Sequence, residues 1–90
     1  MVYYIKTNKD QLTGIVLIQE YGHIKVKLAE LLDERGITRN KLSTLTGTKY
    51  DIINRYYKAE NINMVDIDLF AKICCVLNCN ISDLLEYEKD

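Results

Sequence analysis

Ninety residues hold one domain, because two cores of useful size would each need more chain than half of this length supplies. An apolar fraction of 48% with 28% charged side chains belongs to a globular chain and excludes a disordered tail or a fibrous repeat. The net charge of -1 hides a polarised molecule: residues 1–22 sum to zero, residues 23–58 to +4, and residues 59–90 to -5. No apolar run reaches the roughly 18 residues of a bilayer span, and the segment around Ile15-Val16-Leu17-Ile18 is too short for a secretory leader. A cytoplasmic protein without a membrane partner is expected.

Residues 1–22 are expected to form an N-terminal arm. Val2-Tyr3-Tyr4-Ile5 and Ile15-Val16-Leu17-Ile18 are β-branched and aromatic, with the turn-forming Thr7-Asn8-Lys9-Asp10 between them, which predicts a strand pair. Two strands alone are marginal in water. The arm must therefore pack on the rest of the chain or pair with a second copy, which would make it a dimerisation element; an unstructured extension is the alternative.

Residues 23–90 read as a helical domain. Ile24, Leu28, Leu31 and Leu32 fall on one helical face, with Lys25, Lys27, Glu30, Asp33 and Glu34 opposite, and Arg35-Gly36-Ile37 ends this first helix. Thr38 is the N-cap of a short second helix with Leu42 and Leu45 as its buried stripe, closed by Gly47. A third helix follows, capped by Thr48 or starting one residue later, with Ile53 and Tyr56 facing inward. After a polar connection from Lys58 to Val65, Asp66 caps a fourth helix carrying Ile67, Phe70, Ile73, Cys74 and Leu77, which ends at Asn78. Asn80 and Asp83 form a cap pair for a short fifth helix burying Ile81, Leu84 and Leu85.

The inventory for catalysis is thin. His23 is the sole histidine and reads as a solvated loop residue, and Gly14, Gly22, Gly36 and Gly47 are too scattered for a phosphate-cradling loop. Cys74, Cys75 and Cys79 have no second ligand pair at zinc-binding spacing, so reduced, buried thiols are expected and no metal or cofactor is. The chain is not expected to be an enzyme.

Two short helices joined by a glycine-containing turn, one helix before them and two after, form the arrangement in which the second of the pair lies in a DNA major groove. The run from Ile24 to Leu85 resembles the lambda-repressor-like helix-turn-helix domains of the Cro/cI (XRE) family. The matching residues are Thr38, Leu42, Leu45 and Gly47, then Ile53 and Tyr56, then Leu69-Phe70-Ala71-Lys72-Ile73, and finally Leu77-Asn78-Cys79-Asn80-Ile81-Ser82-Asp83-Leu84-Leu85. This last run is similar to the family's closing segment, with Asn78 in place of its glycine and Asn80 in place of its capping serine. The resemblance implies a mainly α, five-helix fold. It also implies a DNA-binding transcriptional repressor in which Lys49, Tyr50, Asp51, Ile52 and Arg55 face base edges and Thr38, Arg39 and Asn40 face a phosphate at the start of the second helix.

Charge placement agrees independently. Residues 37–58 hold Arg39, Lys41, Lys49, Arg55 and Lys58 against Asp51 alone. Arg55 is the candidate for a bidentate contact to guanine, with an ordinary intrahelical ion pair to Asp51 as its other reading. Lys41 and Lys58 are solvating or phosphate-proximal charges, and Tyr57 is either core or an outward phosphate donor. So few cations imply weak binding by one subunit, hence a homodimer on a pseudo-palindromic double-stranded operator. The acidic C-terminal third supports a different reading, a protein-interaction module of antitoxin or phage-accessory type on the same fold.

Overall fold

The computed structural model describes residues 21–89, so the strand pair expected within the N-terminal arm lies outside the described residues. In chain order the elements are β1 (His23–Val26), α1 (Leu28–Arg35), α2 (Arg39–Thr46), α3 (Tyr50–Lys58), α4 (Ile67–Leu77), a 3-10 turn (Ile81–Asp83) and β2 (Leu85–Glu88). The two strands pair antiparallel, with His23 opposite Glu88 and Val26 opposite Leu85.

Each helix ends where local chemistry stops it. Thr38 and Asp66 sit in extended conformation and their side chains accept from the backbone N–H groups of Lys41 and Leu69, which begin α2 and α4. Gly47 takes φ 69° after α2, a left-handed conformation that glycine adopts without strain. Asn78 does the same after α4 at φ 51°. Asn80 and Asp83 form a reciprocal capping box.

The core is one cluster of apolar side chains. Leu28, Leu31 and Leu32 of α1, Leu42 of α2, Ile53 and Tyr56 of α3, Leu69, Phe70, Ile73 and Leu77 of α4, and Val26 and Leu84 from the strand region close on one another. At its centre the Tyr56 ring meets Phe70 edge-on, with centroids 5.1 Å apart and planes at 82°. The Tyr56 hydroxyl accepts from the backbone N–H of Asp66 at 3.1 Å, so one side chain ties α3 to the start of α4.

The structure corrects several expectations. Ile24 lies in β1, and α1 begins at Leu28, because the backbone N–H of Lys27 donates to the carbonyl of Leu84 at 2.7 Å and holds the chain in the strand pair. His23 is a strand residue whose Nε2 lies 3.1 Å from Glu88, not a loop residue. The fifth helix is a single 3-10 turn. Its continuation from Leu85 is drawn into β2, so four α-helices rather than five stand among the described residues. Ile81 and Ile67 are exposed. Leu45 is 44% exposed while Thr46 is buried, its hydroxyl donating back to the Leu42 carbonyl. The N-cap of α3 is Lys49, so of the two expected starts of this helix the later one is realised. Cys75 is exposed, whereas Cys74 and Cys79 are half-buried; all three are free thiols.

Burial pushes the Cys79 thiol up to about 11, and the adjacent Cys74 adds to the shift. At pH 8 a thiol-reactive probe should therefore label exposed Cys75 well before Cys79, a difference that peptide mapping by mass spectrometry measures. Replacing Tyr56 by Phe removes the bond to Asp66 and keeps the ring, so urea unfolding should show a loss of about 0.5–1.5 kcal/mol.

Candidate nucleic-acid interface

The turn between α2 and α3 is Gly47-Thr48-Lys49. Ser43 fixes it from both ends: its carbonyl accepts from the N–H of Thr48 at 3.1 Å, and its hydroxyl donates to the Thr48 carbonyl. These two bonds hold the ends of α2 and α3 together independently of the side-chain packing of α3.

The amphipathic character of α3 is strong. Ile53 is fully buried and Tyr56 is 2% exposed, so the positions opposite them point outward. Tyr50, Asp51, Ile52, Arg55 and Lys58 are all exposed, as is Lys49 at the N-cap. The structure thus gathers Lys49, Tyr50, Asp51, Ile52 and Arg55 at the start and on the outer face of one short helix. The Arg55 guanidinium lies 5.2 Å from the Tyr56 ring centroid, a cation–π contact with the rim of the core. Among the described residues no ion pair within 4 Å joins Arg55 to Asp51, so the intrahelical reading of this pair is not the observed geometry.

The start of α2 is differently built. Thr38 is committed to capping Lys41, and Asn40 and Lys41 are exposed. Arg39 is half-buried and faces α3. Its Nη1 donates to Asn54 Oδ1 at 2.6 Å, and its guanidinium lies 4.3 Å from the Tyr57 ring centroid. Tyr57 in turn donates its hydroxyl to Asp33 Oδ1 of α1 at 3.0 Å. That hydrogen bond, with desolvation and the charge of Asp33, holds the Tyr57 phenol above its ordinary range. Tyr57 is therefore neither full core nor an outward donor. It is the middle of a chain, Asp33–Tyr57–Arg39–Asn54, that links three helices.

Sequence reasoning missed Asn54 and the inward role of Arg39, because their contact spans fifteen residues and no periodicity signals it. Arg35 was also hidden: its guanidinium donates to the Leu77 carbonyl at the end of α4, satisfying a helix-terminal acceptor. The acidic residues are largely engaged within the domain. Asp66 and Asp83 cap, Glu86 pairs with Lys27 at 3.4 Å, Glu88 contacts His23, and Asp68 pairs with Lys72 at 3.5 Å. Among the described residues, Lys41, Lys49, Arg55 and Lys58 of the helix pair have no carboxylate within 4 Å.

A double-mutant cycle of Arg39→Ala and Asn54→Ala should give a coupling energy of about 0.5–3 kcal/mol in chemical denaturation, as expected for residues in one network.

Comparison with known proteins bears on the family and the fold. Residues 27–90 match the sequence model of the Cro/C1-type HTH DNA-binding domain. Over 61 residues, 68% of this chain and 81% of the relative, the sequence is 33% identical to the SPbeta prophage-derived uncharacterized HTH-type transcriptional regulator YopS of Bacillus subtilis (strain 168). The crystal structure of transcriptional regulator VanUg, Form II, is similar with a TM-score of 0.61 and 25% identity, covering 84% of this chain and 97% of that one. No helix among the described residues is long and apolar enough to cross a membrane. With its turn fixed by Ser43, its third helix exposed along one cationic side, and this match over most of its length, the chain belongs to the Cro/C1-type helix-turn-helix DNA-binding domain family.

Proposed function

We propose that this DNA-binding regulator is a sequence-specific transcriptional repressor that reads the major groove with the helix around 49–57. The observation that carries the reading is the exposure of Arg55 without a carboxylate partner within 4 Å, on the outer face of a helix whose other side is locked in the core. A guanidinium so presented is suited to the paired acceptors of guanine, a contact worth roughly 1–3 kcal/mol of discrimination. Lys49, Tyr50 and Ile52 are its neighbours at the groove, Tyr50 with a hydroxyl for phosphate or sugar and Ile52 with an apolar surface for a thymine methyl. Asp51 accepts from a cytosine amino group or is screened by Lys49.

Thr38, Arg39 and Asn40 stand at the positive end of α2, where backbone N–H groups attract a phosphate. Arg39 contributes mainly by holding α2 to α3, and Lys58 supplies a further phosphate-proximal charge. With about three to five phosphate contacts per subunit, one subunit binds weakly and two bind well, so the active form is a homodimer on a pseudo-palindrome with half-sites about 34 Å apart. A protein seated in the groove excludes others from the same stretch, which is the simplest route to repression. Its place of action is then the cytoplasm, with duplex DNA. The alternative is a protein-interaction module on the same fold with weak or no DNA binding; the engagement of Asp66, Asp83, Glu86 and Glu88 within the domain favours the DNA reading over it.

Selection of bound sequences from a random duplex pool should yield two half-sites in inverted orientation. Fluorescence anisotropy on the selected duplex should show affinity falling with salt at a logarithmic slope of about -5 to -9 for the dimer. Arg55→Ala should lose about 1–3 kcal/mol of discrimination between selected and random duplex, while Arg39→Ala weakens both alike. Equal losses on both duplexes for Arg55→Ala would overturn the readout assignment.

A further inference from the structure

The small sheet has two unlike sides. Alternation places His23, Lys25, Glu86 and Glu88 on one side, where the register sets His23 opposite Glu88 and Lys25 opposite Glu86. Ile24, Val26, Leu85 and Tyr87 lie on the other. Val26 is 7% exposed and Leu85 packs against the core, but the same apolar side runs on past the helices, where Ile24 is 55% and Tyr87 57% exposed. Across from them stands the connection between α3 and α4, with Met64 78% exposed. Together these residues line a mainly apolar groove of about 600 Å³, and Tyr21 stands on its rim.

We propose that the apolar run Ile15-Val16-Leu17-Ile18 of the same chain docks into this groove. Twenty residues precede Tyr21, and only Gln19 and Glu20 separate Ile18 from it, a reach of about 10 Å along an extended backbone. The run is thereby delivered at high effective concentration, an advantage that a second copy lacks at ordinary protein concentrations. The path of the chain points the same way. A side chain on Gly22 would place its Cβ 1.8 Å from the Glu88 carbonyl oxygen, so the chain crosses the end of β2 at contact distance. There the Gly22 N–H donates to the Tyr87 hydroxyl at 2.9 Å, tying the entering strand to a residue of the groove itself. The chemistry also fits, since four successive uncharged aliphatic side chains meet a wall whose main exposed contributors are Ile24, Met64 and Tyr87.

Docking of this kind assigns the arm to its own domain rather than to a dimer contact. It would clamp β1, β2 and the connection that leaves α3 into one unit. The test uses the full chain labelled at isoleucine, leucine, valine and methionine methyl groups. Methyl–methyl NOEs are expected from Ile15–Ile18 to Ile24 and Met64, with relative intensities unchanged when the labelled chain is diluted into excess unlabelled chain. In the same full chain, Leu17→Asp should raise the fluorescence of an apolar-surface dye several-fold while leaving the helical circular dichroism intact. Absence of those NOEs, their appearance only between labelled and unlabelled chains, or unchanged dye binding in Leu17→Asp would overturn the proposal.

Discussion

Burial of Ile53 and Tyr56 is the constraint on which the presentation of α3 depends. A helix of nine residues is too short to persist in water by its own hydrogen bonds. It exists here because one side is held in a core that Phe70, Leu42 and Leu32 complete. Fixing that side fixes the other, and the outward residues are therefore a consequence of packing as much as of their own polarity. The Tyr56 hydroxyl extends this control to the start of α4. The Asp33–Tyr57–Arg39–Asn54 chain extends it to α1 and α2. Both lie on the half of α3 that faces the protein, so orientation and recognition are assigned to different sides of the same short helix.

Electrostatics follows the same division. In the C-terminal third Asp66 and Asp83 cap helix starts and Glu86 and Glu88 face Lys27 and His23, while the cations at Lys49, Arg55 and Lys58 have no carboxylate within 4 Å among the described residues. A nearly neutral whole therefore still presents one surface of positive potential. For association with a polyanion this local field matters more than the sum, because salt screens charges beyond about 10 Å at 0.1 M.

The helix ends were legible because their determinants are local. Thr38, Gly47, Asp66, Asn78 and the Asn80–Asp83 pair each act within four residues, and each does so in the structure. The strands were not legible. Ile24 stands four residues before Leu28, which satisfies a helical period, and only the partner at Leu85–Glu88 decides in favour of extended backbone. The same non-local effect turned the expected fifth helix into a 3-10 turn and a strand. Leu45 and Thr46 exchanged places because Thr46, at the i+4 position from Leu42, hides its hydroxyl by bonding to the Leu42 carbonyl. Within the candidate site, exposure of the outer face of α3 followed from its apolar stripe. The inward turn of Arg39 did not, since a charge pattern carries no information about an aromatic ring arriving from another helix.

The pairing of β1 with β2 joins segments from opposite ends of the domain, whereas the helices are connected by short turns. Closing so long a loop is entropically costly and is repaid only after the intervening helices have condensed, so the strand pair belongs to the last step of assembly. By the same reasoning it is the first part to come apart under thermal fluctuation. On that account the amide protons of the two strands should trade with solvent sooner than those of α3 and α4.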